Sequence, residues 1–442
     1  MLRSVSGSDA AQLADRWTVD ELPALNRAIL RGSTPPGALA QRLSEEVLRQ
    51  LPLAAEIAAV PAMRLLVLLS LAGASIARHY QERHGTDEPE RAFDPVRVGP
   101  DALGFLDYFG ELGGRTDTGH PDRDSYTGLV RWNVPCAEVS WQGRTLAVID
   151  GVFDDAGIRT YTGTVGEETF FEVLKQGECL EKAVNALLAP VATGAVEFAS
   201  DEAVERVRAA TTILHVLRRL MLDYPHLPDG GAMTPSFFMD VFRQFAVHWR
   251  PGDLPPSGAM DTEALTRDLL LGINYTGYPD ALRRLFPALL RHERQDLRER
   301  MGQPSTTQSM LKGIGVTPTD LASMPLSRQR ALVAAHPELV TWFDLLQANG
   351  RSAAAHLGLS KKMLFNPQRR RELADVGGNR PVANDTGTTG MTEHYLAALT
   401  AARKSHALLP LHLVVGQVLR PSCEDRLDEV TVTVNGRPGR RP

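Results

Sequence analysis

Apolar residues recur at intervals of three and four along most of this chain, the spacing of helices that bury one face. The pattern predicts helices over 9–31, 37–59 and 62–84, separated by Pro/Gly turns. It breaks between about 86 and 127, a stretch rich in Asp, Gly and Pro whose strongest turn signals fall in GGRTDTGHPDRDS. A loop or an inter-domain connection is expected there. Residues 129–162 hold short runs of β character, such as TLAVIDGVF, and are the least helical part of the middle. Helical spacing returns at 167–189, 201–223, 233–249, 261–274, 279–300, 319–347, 350–364 and 391–418. The tail VTVTVNGRPGRRP alternates like a strand and then turns basic, so an edge strand or a frayed end is expected. The longest apolar run, 65–77, is too short to span a bilayer and reads as a buried core helix.

These elements predict an all-α fold. At roughly 100–200 residues per domain, the 442 residues suggest two units. The expectation is a small, mainly helical N-terminal domain at 1–130 and a large helical domain at 131–442. Composition changes this picture little: 43% hydrophobic and 23% charged residues are ordinary for a globular chain that buries a large core. With 48 basic against 53 acidic residues there is no basic stripe, and no nucleic-acid partner is expected. The three cysteines, Cys136, Cys179 and Cys423, are odd in number and widely spaced. That argues against a disulfide framework and for a reducing compartment. With no apolar signal-peptide core near the start, a cytoplasmic location and no membrane partner are expected.

One residue stands out against its surroundings. In a helix over 342–363, His356 shares a face with Trp342, Leu345, Leu346, Asn349, Ala353, Leu359, Ser360 and Met363. This is a core-facing stripe. Ala353, Ala354 and Ala355 precede the histidine, and small residues there let something flat approach the backbone. An imidazole is the usual axial ligand of haem iron and needs such an apolar, uncluttered wall. A histidine simply packed in the core fits the same stripe, and His406 and His412 sit in similar apolar context.

Four further stretches carry chemical interest. In TYTGTVGEETFFEVLKQGE, 160–178, a Thr/Gly turn enters a helix with Glu167 and Glu168 in its first turn, followed by Phe170 and Phe171. These two aromatics are either core or a pocket wall. In SFFMDVFRQFAVHW, 236–249, Phe238, Phe242, Phe245 and Trp249 form one stripe, with Arg243 inside it. A buried arginine needs a partner, either an internal carboxylate or one on a substrate or haem. PPSGAMDTEALTRDLLLGIN, 255–274, opens with a loop of small residues, where backbone can approach a ligand closely. TGTTGMTEHYLAALTAARKSH, 386–406, places a Gly/Thr loop before a helix, which suits an anion or an ordinary N-cap. The FDD at 153–155 lacks a second acidic element, and RHERQDLRER reads as a solvated helix face. No Walker loop, HExxH or GxSxG occurs.

Taken in order, these stretches resemble the indoleamine 2,3-dioxygenase family of helical haem proteins. TYTGTVGEETFF resembles its Thr-Phe-Thr-Gly segment with paired aromatics, and FFMDVFRQFAVHW its Phe-Phe…Arg…Trp helix. DLLLGI at 268–273, LRRLFPALLR at 282–291, HLGLSKKMLFNP and GTTG at 387–390 resemble the family's later blocks. The blocks span about 160–405, and the resemblance in 1–130 is faint. It implies haem b held by His356 as proximal ligand, with O2 and a small aromatic molecule as substrates. Arg243 would take the carboxylate-binding position. Phe170 and Phe238 would form the substrate wall, with Met239 beside them, and Thr388 would cap the amino-acid end of the substrate. Ser257, Gly258, Phe171 and Arg351 would border the haem.

Three positions depart from the family pattern. Leu174 falls where the family has a distal serine or histidine, so the distal pocket offers no side-chain hydrogen bond. The family's propionate-contacting arginine, three residues before the axial histidine, is Ala353 here, with Arg351 nearby. GTTG replaces GTGG. The implied activity is insertion of O2 into the C2–C3 bond of tryptophan or an indole derivative. The alternatives are a haem oxygenase or ring-rearranging oxidase acting on a modified tryptophan or other aromatic, and a haem-free helical scaffold with His356 merely packed.

Overall fold

Two long helices begin the architecture. α1 (Gly7–Leu30) starts at an N-cap serine, Ser6, whose side chain accepts from the Asp9 amide. α2 (Ala59–His84) carries the apolar run and is buried along most of its length. By length and composition α2 could cross a membrane, but most of that window lies inside the core. The two pack together through Asn26, whose amide donates to Ser75 Oγ (2.9 Å) and accepts from His79 Nε2 (2.8 Å). Gly73 on α2 admits the Trp249 ring, since a Cβ there would stand 2.6 Å from it. Trp249 in turn packs on Phe93, Phe105 and Phe109.

This computed structural model describes residues 6–119, 121, 123–228, 230–273, 277–374, 382, 392–418, 423–435 and 437–438. It is 68% helical with 5% in strands, so the all-α class holds. The expected loop at 86–127 contains a helix, Phe105–Gly113. Its Phe105, Tyr108, Phe109 and Leu112 form a buried i, i+3, i+4, i+7 stripe, too short to stand out among the glycines around it. The β-like stretch is a hairpin, Ala137–Trp141 with Arg144–Ile149, turned at Gln142 and Gly143, both at positive φ. The tail strand forms over Val430–Val434. It pairs antiparallel with 137–141 on one side and with Arg437–Pro438 on the other.

Five helices frame the candidate site: α3 (Val165–Ala192), α4 (Asp201–Asp223), α5 (Thr262–Leu271), α6 (Glu338–Ser360) and α7 (Glu393–Lys404). α3 packs on α4 and α5, and α6 packs on α4 and α7. α6 runs unbroken through 347–350, where two helices were expected, because Gln347–Gly350 continue its buried face rather than ending it. The expected helix at 233–249 is instead a short turn, Pro235–Phe237, a π-helical turn, Phe238–Phe242, and a 3-10 turn, Arg243–Phe245. Another π turn, Lys361–Phe365, follows α6 directly and packs against the one at Phe238–Phe242. The main apolar core is continuous from Ala10 to Val415, across the boundary expected at 130.

Candidate functional site

The stripe on α6 is sealed almost everywhere. Trp342, Leu345, Leu346, Asn349, Ala353, Ser360 and Met363 are all buried. His356 and Leu359 alone on that face are half-buried. Among the described residues none donates to or accepts from the His356 ring, and the residue keeps part of its surface exposed. Burial, then the nearby charges of Arg403 and Arg267, push its pKa down to about 4. At neutral pH it is therefore an uncharged imidazole with a lone pair available.

Other histidines show what distinguishes this one. His406 also lacks partners for both ring nitrogens, but both are sealed, with its ring edge-on to Phe343. No ligand can reach it. His79 Nε2 is held by Asn26, His215 Nδ1 is sealed without a hydrogen bond 3.4 Å from Glu424, and His412 is exposed. A buried polar group left without a hydrogen bond costs about 1–3 kcal/mol. For His406 nothing offsets that cost, whereas at His356 a ligand can.

Beside His356 lies a buried ionic network that links α3, α5 and α7. Arg403 binds Asp268 with two hydrogen bonds, Nε to Oδ1 (2.9 Å) and Nη2 to Oδ2 (2.6 Å). Tyr278 also donates to Asp268 (3.0 Å). Arg267 pairs with Glu181, and Arg131 with Glu178, Glu293 and Thr262. Asp261 caps α5 through Oδ1 and stands at hydrogen-bonding range of Glu181. Burial, and the charges of Glu181 and Glu178, raise the Asp261 pKa well above its ordinary value. Burial likewise pushes Glu178 up to about 7, against the pull of Arg131.

At the other end of α3 an aromatic group forms. Phe170 meets Phe242 (5.2 Å between ring centres), Phe238 (5.8 Å) and Tyr224 (6.0 Å), the first two edge to face. Phe171 is buried and also meets Phe242 edge to face (5.6 Å). Phe238 and Met239 share a small cluster with Met363, Leu364, Phe365 and Leu396. Phe170, Val173, Leu357 and Leu359 pack against that cluster yet stay partly open. So Phe170 and the residues that follow His356 in α6 border one patch. Arg243 lies buried just past this aromatic turn and is engaged within the protein. The next residue, Gln244, clasps the backbone of Val382 in both directions (3.0 and 3.3 Å). That ties the segment after α6 to the Arg243 turn. Asp240 in the π turn pairs with Arg371 (2.6 Å).

The remaining expected residues are placed as follows. Leu174 is half-buried on α3, on the same face as Phe170, Gly177 and Glu181. Ser257 and Gly258 are half-buried just before α5, with Ser257 Oγ accepting from the Ala259 amide. Arg351 is exposed and pairs with Glu424 (3.7 Å), roughly 140° around α6 from His356. The guanidinium groups near the histidine are those of Arg403 and Arg267. Thr388 and the GTTG loop lie outside the described residues. The Thr/Gly turn at 160–163 is bound to its own helix, with Glu167 accepting from the Thr162 amide (2.9 Å). Arg403 was missed in the sequence, although it continues the buried stripe of Leu396, Leu399 and Thr400. A charge on an apolar stripe was the available signal. An open cleft of about 500 Å³ lined by Arg283, Phe286, Arg298, Met301 and Gly302 involves none of these residues.

Compared with known proteins, the chain matches no family model and no curated protein.

Proposed function

We propose that this chain is a haem-dependent dioxygenase that inserts O2 into the C2–C3 bond of tryptophan or an indole derivative. The observation that carries the reading is His356. It is a neutral imidazole without a described hydrogen-bond partner, half-buried on a stripe that is sealed except here and at Leu359, and preceded by three alanines. An axial ligand for haem b has these properties, and the residues present fit the group. When bound, the haem would supply the activation of O2.

The chain's own residues would orient the substrate and exclude water. Phe170, which stays partly open, would offer its ring to a flat aromatic molecule, with the buried Phe238 packed against it. Arg243, at the end of the same turn, would present its guanidinium to a substrate carboxylate. Leu174 offers neither proton donor nor acceptor, so a mechanism that needs a side-chain base at that position does not fit. Leu174 and Met239 favour the second reading, an oxygenase or ring-rearranging oxidase for a modified tryptophan or other aromatic.

Product mass separates the two. The protein, supplied with haem, reductant and labelled O2, is given tryptophan and substituted indoles. Gain of two labelled oxygens is the expected result. One or none points to the second reading, and no turnover of any aromatic by the haem-loaded protein overturns both. Arg243→Ala is expected to lower kcat/KM for a carboxylated indole by about 2 kcal/mol, mainly through KM. Unchanged kinetics would assign Arg243 a purely internal role.

A further inference from the structure

His356 is not the only deep side chain that keeps an open nitrogen. Arg403 on α7 spends Nε and Nη2 on Asp268, while Nη1 has no hydrogen-bond partner among the described residues. Its side chain retains 11% of its surface although helices surround it. Asp268 is fully buried and is itself fixed by Tyr278, so the guanidinium is held in one orientation. α6 and α7 approach closely at Gly350, where a Cβ would lie 3.3 Å from the Arg403 carbonyl oxygen. The two helices thus carry an open imidazole and an open, fixed guanidinium into the same interior.

We infer that Arg403 holds an acidic group of the ligand that His356 takes. The inference rests on the haem reading above, in which that group is a carboxylate on the edge of the macrocycle. The family's arginine for this purpose would lie on the histidine's own helix, where this chain has Ala353, and Arg351 faces away. Arg403 reaches the place from a different helix. Its planar fork divides the work, one edge on Asp268 and the remaining nitrogen on the ligand.

Binding of haem b is compared with binding of its dimethyl ester, which keeps the iron and the ring but has no free acid. The readout is the dissociation constant, followed by absorbance and by quenching of tryptophan emission. Wild type is expected to prefer the free acid by about tenfold or more. Arg403→Ala leaves Asp268 unpaired and can unfold the protein. The informative variant is therefore the double substitution Arg403→Gln with Asp268→Asn, which keeps hydrogen-bonding atoms without charge. Loss of the preference in that variant, with ester binding unchanged, supports the inference. A preference that survives in the double variant, or its absence in wild type, overturns it while leaving the haem reading intact. If wild type binds neither compound, the haem reading itself has failed.

Discussion

Two buried histidines with opposite prospects show what single residues can decide here. His356 and His406 both have proton affinities depressed by burial, to about 4. Only His356 faces accessible space. Replacing His406 with an apolar side chain of similar size removes two unsatisfied polar atoms, which is neutral or stabilising. His406→Leu is expected to leave haem binding unchanged and to hold or raise Tm. A lower Tm or a lost haem would give His406 a role that the packing does not show. The stripe that marks His356 was readable from the sequence, because it depends only on helical spacing. The partner status of each histidine was not, since it depends on atoms brought from other helices. Arg403 and Asp268 are 135 residues apart, and no local pattern announces their pairing.

Helices were legible as elements wherever an apolar stripe ran long. α4 was placed at 201–223, its observed span, because Ser200 and the acidic first turn mark its start. The π turns at 238–242 and 361–365 were not legible. A π turn adds one residue to a helix without changing its composition, so a 3.6-residue period reads straight through it. Both turns border the aromatic cluster, and the extra residue re-aims Phe238, Phe242 and Met363 towards it. The end of α5 was set by Gly272, which adopts φ 76° and would place a Cβ 2.5 Å from Ser305 Oγ. Gly272→Ala is expected to cost about 1–3 kcal/mol through backbone strain and this clash. The check is urea unfolding of both proteins, and equal midpoints would contradict the assignment.

At the scale of the molecule, the ionic network joins helices that are far apart in sequence. Its carboxyl groups outnumber its guanidinium groups, so part of the charge balance is met by protons. Burial raises Glu178 to about 7 from an ordinary 4.5, and it also raises Asp261 well above its ordinary value. A carboxyl whose folded pKa exceeds its unfolded value contributes stability that is fully present below the unfolded value. That stability is lost as pH rises through the folded pKa. From Glu178, the fold loses stability between about pH 4.5 and about pH 7, opposite to ordinary acid denaturation, and Asp261 acts in the same direction. Glu178→Gln cannot ionise and keeps an acceptor for Arg131. Its Tm relative to wild type is expected to rise from about pH 5 and to level off once the pH passes the folded value of about 7. Parallel curves would show that Glu178 is ionised throughout.

The central claim is that His356 holds a haem, and the absorption spectrum tests it most directly. Wild type and His356→Ala are purified after haem supplementation and measured oxidised, then dithionite-reduced with CO. Wild type is expected to show a Soret band that shifts with CO and that collapses in His356→Ala. Wild type without a Soret band after reconstitution, or a band unaltered in His356→Ala, would contradict it.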